Sequence, residues 1–406
     1  MFAFEEISQG GVASAQGFKA SGVAAGIKVP GRPDVALVAA GAPCAVAGMF
    51  TTNQVVAAPV VLDRERVKTG RTRAVLVNTG FANACTGAQG LADAKETARV
   101  VAEAFAGETR EDEILVCSTG VIGVYLPMDR VAAGARAAVA ALSPGGGADA
   151  ARAIMTTDTA PKETALALEM DGKRVVIGGM CKGAGMIEPR MATMLALVTT
   201  DANIGPRELD AALRPAVETT FNRAVVDGDQ STNDTILLMA SGVAGNDALT
   251  PAHPQWAEFC AALREVCDRL ARKIVMDGEG ATKFVTVRVR GAATERDAQL
   301  AARSIAKSAL VKTSWFGCDP NWGRVMCAAG YSGARVDDQK ARVFCGAECV
   351  YDRGTVVMRD PGAVKAVLRE RAFDVTVDLG LGDGADTVYT CDFSYDYVRI
   401  NGDYTT

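Results

Sequence analysis

Apolar positions along this chain follow two periods, which alternate from one end to the other. Short apolar, β-branched runs predict strands at Ala74–Val77, Ile114–Cys117, Val175–Ile177, Met194–Thr199, Thr235–Met239, Phe284–Val289, Phe373–Val377 and Tyr397–Ile400. Stretches rich in Ala, Glu and Arg predict amphipathic helices at Leu91–Phe105, Met128–Leu142, Arg207–Phe221, Pro254–Ile274, Arg296–Leu310 and Ala363–Arg371. In the clearest of them, Trp256, Phe259, Leu263, Val266, Leu270 and Ile274 recur at spacings of three or four, a stripe that reads as core packing. Interspersed strands and helices predict an α/β or α+β fold with mixed sheets in layers.

Ser143-Pro144-Gly145-Gly146-Gly147 and Gly291-Ala292-Ala293 are loop signals. From Phe284 onward the order strand–helix–strand–helix–strand implies a smaller α/β domain, 284–406, after a larger one spanning 1–283. The stretch Val35–Leu62 carries no charge, but Pro43, Pro59 and Thr51-Thr52-Asn53-Gln54 would break a membrane helix near the bilayer centre. Two buried strands joined by a turn are expected there instead.

Composition narrows the function classes. The chain has 406 residues, 49% hydrophobic and 22% charged, an ordinary globular balance. With 43 Lys+Arg against 48 Asp+Glu it carries a net charge of −5, which makes no electrostatic case for nucleic acid. A single histidine excludes any site that needs two. That residue, His253, lies between prolines in Thr250-Pro251-Ala252-His253-Pro254 and reads as a surface turn before a helix. The 11 cysteines are odd in number and form no CxxC, so neither a disulfide framework nor a metal cluster is expected. Met1-Phe2-Ala3-Phe4-Glu5-Glu6 has acids where a signal peptide carries basic residues. Free thiols, no leader and no span lead to an expected cytoplasmic location.

The chemistry is expected in polar, glycine-rich loops at strand ends: Val77–Gly87, Cys117–Gly123, Gly178–Pro189, Asp227–Thr235 and Asp277–Lys283. The loop at Lys182 has neither the GxxxxGK[ST] nor the GxGxxG spacing that cradles phosphate. Asp227-Gly228-Asp229 begins like a calcium hand, but Thr232 and Leu238 stand where glycine and glutamate are needed. Its acids and asparagines read as turn and cap residues unless a site borrows them. Thr193 follows a small Ala192 between a glycine-rich loop and a buried strand. A threonine hydroxyl needs a base, and its own α-amine, freed by cutting the preceding bond, has an ordinary pKa of roughly 7.7–8.0. The residues alone leave both readings open: nucleophile, or plain β-branched strand start.

Lys182-Gly183-Ala184-Gly185-Met186-Ile187-Glu188-Pro189-Arg190-Met191-Ala192-Thr193-Met194-Leu195 resembles the signature of the glutamate N-acetyltransferase (ornithine acetyltransferase) family of arginine biosynthesis. Collinear matches run from Gly17-Phe18-Lys19-Ala20 and Gly26-Ile27-Lys28 through Asn83-Ala84-Cys85-Thr86-Gly87, Ser118-Thr119-Gly120 and Asp319-Pro320-Asn321-Trp322-Gly323-Arg324 to Asn401-Gly402-Asp403-Tyr404-Thr405-Thr406. The resemblance implies a layered α-β-β-α sandwich like that of self-cleaving N-terminal-nucleophile aminopeptidases, with a smaller C-terminal α/β domain. It further implies self-cleavage at Ala192–Thr193 into an α chain, 1–192, and a β chain, 193–406, assembled as α2β2. Thr193 would be the nucleophile that takes acetyl from N2-acetylornithine and passes it to glutamate. Thr119 and Gly120 would form the oxyanion hole, and Thr159, Lys182, Thr193, Glu279, Asn401 and Thr406 would bind substrate. No cofactor or metal is implied, although family members differ in whether they also accept acetyl-CoA as donor. Two departures stand out, Arg190 and Phe81 at positions where relatives commonly carry Asn. The rival readings are a self-processing N-terminal-threonine aminopeptidase or amidohydrolase, which would pass the acyl group to water, and a non-enzymatic amino-acid-binding chain that stays intact.

Overall fold

The computed structural model describes residues 2, 4–28, 31–188 and 194–403. In chain order the first elements are β1 (Glu5–Glu6), β2 (Phe18–Val23), β3 (Val35–Phe50), α1 (Ala58–Arg66), β4 (Arg71–Phe81), α2 (Gly87–Ala104), β5 (Ile114–Val121), α3 (Met128–Ala140) and α4 (Gly147–Ala153). Then come β6 (Lys162–Met170), β7 (Lys173–Lys182), β8 (Leu195–Thr200), α5 (Pro206–Glu218), β9 (Ala224–Val225), β10 (Thr235–Ala240) and α6 (Trp256–Met276). The remainder comprises β11 (Phe284–Ala292), α7 (Glu295–Lys307), α8 (Ala309–Phe316), α9 (Trp322–Gly330), β12 (Arg342–Cys345), β13 (Glu348–Asp352), β14 (Thr355–Val356), α10 (Pro361–Arg369), β15 (Ala372–Asp378), β16 (Gly384–Cys391) and α11 (Tyr395–Asp403).

These elements form two compact units, one of residues 1–222 and 229–274, the other of 223–228 and 275–406. The division therefore falls within the end of α6, ahead of the expected boundary at 283/284. The short β9 belongs to the second unit because it pairs in parallel with β16.

In the first unit one nine-stranded sheet runs β1-β6-β7-β8-β10-β3-β4-β5, with β2 paired to β3. The uncharged stretch that predicted two strands and a turn is a single 16-residue strand, β3, followed by α1. The first half of β3 pairs with β2 and β4, and its second half with β10; the register with β4 shifts between Ala39 and Cys44. Pro59 begins α1, a position where its missing N–H costs nothing.

Strand alternation then sorts the core. Leu37, Leu76, Ile114 and Val116 pack with Val101 of α2 and Val131 of α3 on one face. Their neighbours Val38, Val75, Val77 and Leu115 share a second core with Ala167, Val176, Leu195 and Leu237 from the other wing of the sheet. Those two wings thus face each other across one apolar layer. Leu270 of α6 packs where a Cβ on Gly179 of β7 would lie, placing that helix against β7. The result is the expected layered α/β sandwich.

The second unit holds a seven-stranded sheet, β14-β13-β12-β15-β11-β16-β9. Val285, Val287 and Val289 of β11 pack with Ala302 and Ile305 of α7, Trp315 of α8, Val325 of α9 and Leu368 of α10. Tyr397–Ile400, expected as a strand, lies inside α11. Its Val398 is 71% exposed, so no sheet neighbour is present to reward a β-branched side chain. All 11 cysteines are free thiols. Among the described residues no helix is long and apolar enough to cross a membrane.

Helix α4 docks on β2 at Gly22, where an added Cβ would stand 2.1 Å from the Asp149 carbonyl oxygen. Backbone cannot yield as a flexible side chain can. G22A is expected to destabilise the first unit by about 1–3 kcal/mol, read as a lowered urea midpoint.

Candidate active site

Strands β4 and β5 run parallel and in register, so Thr79 stands beside Thr119 and Gly80 beside Gly120 at their C-terminal ends. Both glycines have positive φ, +112° and +135°. A Cβ on Gly120 would lie 2.2 Å from the Gly80 carbonyl carbon. Only glycine satisfies both constraints, which lets the two backbones approach closely where the strands end. Ser118 donates its hydroxyl to Asn78 Oδ1 at 2.6 Å, tying the two strands at the preceding residues.

Thr119 is buried, and its Oγ1 accepts a hydrogen bond from Lys182 Nζ at 3.1 Å. Lys182 ends β7 directly opposite Leu195, the first residue of β8. The loop that carries the proposed cleavage point therefore leaves and re-enters the sheet at one place. A hydroxyl that accepts from an ammonium keeps its own proton available for another acceptor.

Beneath these groups lies a buried carboxylate. Asp158 Oδ1 accepts from Lys162 Nζ at 2.6 Å and from the Gly183 N–H at 2.8 Å, while Oδ2 accepts from the Thr156 N–H at 2.9 Å. The Lys162 and Asp158 side chains are 2% and 0% exposed. Burial alone would push the Asp158 carboxyl up. The charges of Lys182 and Lys162, with the Gly183 N–H, outweigh it and hold the group down at about 2. Lys28 adds a third ammonium, donating to the Met155 carbonyl at 2.6 Å. Burial lowers its pKa, Asp34 opposes that, and Lys182 adds to it.

In the loop before β10, Asn233 Nδ2 donates to the Ala82 and Ser118 carbonyls at 2.6 and 2.8 Å. Asp234 Oδ1 accepts from the Met194 N–H at 2.7 Å. The loop before β10 is thus bound both to the β4–β5 ends and to the start of β8.

Of the residues singled out in the sequence, Thr119, Gly120 and Lys182 come together here. Thr159 follows Asp158 and is exposed. Glu279 and Asn401 belong to the second unit, where Asn401 Nδ2 donates to Glu279 Oε2 at 2.7 Å. Ala192, Thr193 and Thr406, with Arg190, lie outside the described residues. Phe81 packs partly buried against the core beneath α2 and α3. His253 does sit in the turn before α6, its Nε2 3.2 Å from Asp171 Oδ2 and its Nδ1 accepting from the Gln255 N–H. Among the described residues no group of three or more His, Cys, Asp or Glu could hold a metal ion.

Sequence reasoning passed over Lys28, Asp158 and Lys162, and read Asn233 and Asp234 as turn and cap residues unless a site borrows them. Lys28 lay in a quoted motif without a role, and Asp158 adjoins Thr159. Asp158 lies in the irregular segment before β6 and Lys162 begins that strand, so no helical spacing signalled their pairing, and the sequence cannot reveal their burial.

The comparisons match this architecture. The ArgJ family model matches residues 19–406. The arginine biosynthesis bifunctional protein ArgJ of Symbiobacterium thermophilum is 53% identical over 399 residues, covering 98% of this chain and 99% of that protein. Its namesake in Geobacter sulfurreducens is 53% identical over 392 residues, with 96% and 99% covered. A crystal structure of the arginine biosynthesis bifunctional protein argJ from Bacillus halodurans is 44% identical, with a TM-score of 0.51, and covers 52% of this chain and 99% of that one. Similarity over nearly the whole length, on a layered α/β scaffold with a hydroxyl–ammonium site at its strand ends, defines an acyltransferase of amino-acid biosynthesis. In particular, the chain belongs to the ArgJ family.

Two outcomes follow from the buried carboxylate. D158N removes the buried charge that Lys162 and Lys182 approach, and is expected to cost about 3–5 kcal/mol in urea unfolding. Asp158 is depressed below its unfolded value of roughly 3.9, so its contribution is complete above that pH and lost as pH falls through about 2. Acid unfolding followed by circular dichroism should show this loss in the wild type and not in D158N.

Proposed function

We propose that this protein cuts itself between Ala192 and Thr193 and then moves acetyl from N2-acetylornithine to glutamate through an acetyl-threonine. The observation that carries the reading is the Lys182–Thr119 pair at the mouth of the loop leading to Thr193. Two further facts support it. Family relatives are named for arginine biosynthesis and called bifunctional. The Bacillus halodurans chain matches over 99% of its own length yet covers 52% of this one, about the share that 193–406 takes.

In the first half-reaction Thr193 Oγ attacks the acetyl carbonyl carbon and gives its proton to its own α-amine. The carbonyl π pair moves onto oxygen, and Thr119 and Gly120 supply the donors for that oxyanion. Collapse breaks the C–N bond, the α-ammonium returns the proton to the departing amine, and ornithine leaves. Glutamate's amine then attacks acetyl-Thr193 by the reverse sequence, which restores the hydroxyl and releases N-acetylglutamate. The acyl group passes from amide to ester to amide, so no net oxidation occurs. Acetyl-CoA as donor would load the same threonine, in keeping with the bifunctional relatives.

Lys182 suits a substrate carboxylate and Glu279 a substrate ammonium, each as a charge-assisted pair. Thr159, Asn401 and Thr406 would fix orientation. The two chains of one precursor would form the working unit, assembled as α2β2 in the cytoplasm.

Denaturing mass spectrometry tests the reading. Fresh protein should give fragments 1–192 and 193–406, and N-acetylornithine alone should add one acetyl group to the second. T193A should remain full-length and inactive; a T193A protein that is still cut and still transfers acetyl refutes the nucleophile. T119A is expected to lower kcat by about 10²–10³, with cleavage retained. Product analysis without glutamate separates transfer from hydrolysis, since acetate released at the transfer rate would mark a hydrolase.

A further inference from the structure

We propose that the Asp234 carboxyl is the positioning group for Thr193, acting through the Met194 amide in both self-cleavage and acetyl transfer. This inference rests on the reading of Thr193 as nucleophile. It starts from Asp234 Oδ1, which accepts the Met194 N–H at 2.7 Å. The Met194 nitrogen is bonded to the carbonyl carbon of Thr193, so this hydrogen bond is one peptide from the scissile junction. Trans-peptide planarity makes an anchored amide set the orientation of the carbonyl bonded to it.

Asp234 is itself rigidly held. Its carbonyl accepts the Thr51 N–H at 2.9 Å, and the next residue, Thr235, donates its N–H to the Met194 carbonyl at 3.1 Å. Met194 is therefore held at both its N–H and its carbonyl, by Asp234 and Thr235 respectively. The side chain is fully buried, and its second oxygen, Oδ2, has no hydrogen-bond partner among the described residues. The Thr51 hydroxyl donates to the Ser231 carbonyl at 2.8 Å. Burial pushes the carboxyl well above its usual range, against the pull of the Met194 N–H, the Thr51 side chain and the Lys182 charge. Structures tolerate such a group where function needs it.

An amide of the same length keeps an oxygen where Oδ1 accepts from the Met194 N–H. D234N should therefore self-cleave and turn over within about threefold of wild type. D234A removes that oxygen, and D234T keeps a polar atom but shortens its reach. Whichever of the latter two folds should cut itself at least tenfold more slowly. Its kcat, counted per threonine that can be acetylated, should fall at least tenfold with KM within about threefold. Counting per acetylatable site removes unfolded protein from the rate, which a merely structural role would leave unchanged.

Wild-type cleavage and kcat in D234A or D234T would overturn the proposal. So would a D234N as impaired as D234A, since the oxygen that accepts from the Met194 amide would then not carry the role. A wild-type chain that is never cut at 192/193 and takes no acetyl would instead overturn the underlying reading, and this inference with it.

Discussion

An isolated carboxylate with no exposure to water would take up a proton or unfold its surroundings, because the low-dielectric interior cannot solvate it. Asp158 stays ionised because Lys162 and Lys182 approach it and the Gly183 and Thr156 amides donate to it. The consequences reach past the pair. Lys182 can donate to Thr119 from a fixed position only while its charge is balanced nearby. The Gly183 amide, at the start of the loop toward Thr193, is held by the same carboxylate. One buried charge cluster thus supports both the ammonium and the hydroxyl at the strand ends.

Around that cluster the backbone does work that side chains cannot. Gly80 and Gly120 let β4 and β5 close together where the strands terminate. Asn233 then ties the loop before β10 to carbonyls at the ends of both strands. Asp234 fastens the same loop to Met194. The candidate oxyanion donors and the start of β8 therefore share a short route through two adjacent side chains. A rigid frame of this kind suits a reaction that must hold an oxyanion at hydrogen-bond distance from fixed donors.

Where periodicity was long and strong, it located elements well. The Trp256–Ile274 stripe is the buried face of α6, and Arg207–Phe221 overlaps α5. Short or featureless runs misled. Tyr397–Ile400 is too short to separate a period of two from one of 3.6, and its aromatic and β-branched residues favoured the wrong one. In Val35–Leu62 the absence of charge signalled burial but not geometry. Pro59 was a legible helix start, since proline fits a first helical turn and disturbs a central strand. The strand β16 went unread although Thr387-Val388-Tyr389-Thr390-Cys391 is a β-branched run.

By itself the sequence determined the alternating α/β character, the balance of charge, the single histidine and the motif family that contains Thr119, Gly120, Lys182 and Thr193. Each of these is a matter of residue type or of spacing within a few positions, which is local information. Only the tertiary structure decided that Asp158 and Lys162 are buried beside Lys182, that Gly80 meets Gly120, and that Asp234 bonds the Met194 amide. These pairings join residues up to 40 positions apart, or depend on burial, and both arise when the strands come into register. Spacing along a chain can bring a chemical group into reach. Its charge state depends on how completely the fold excludes water from it.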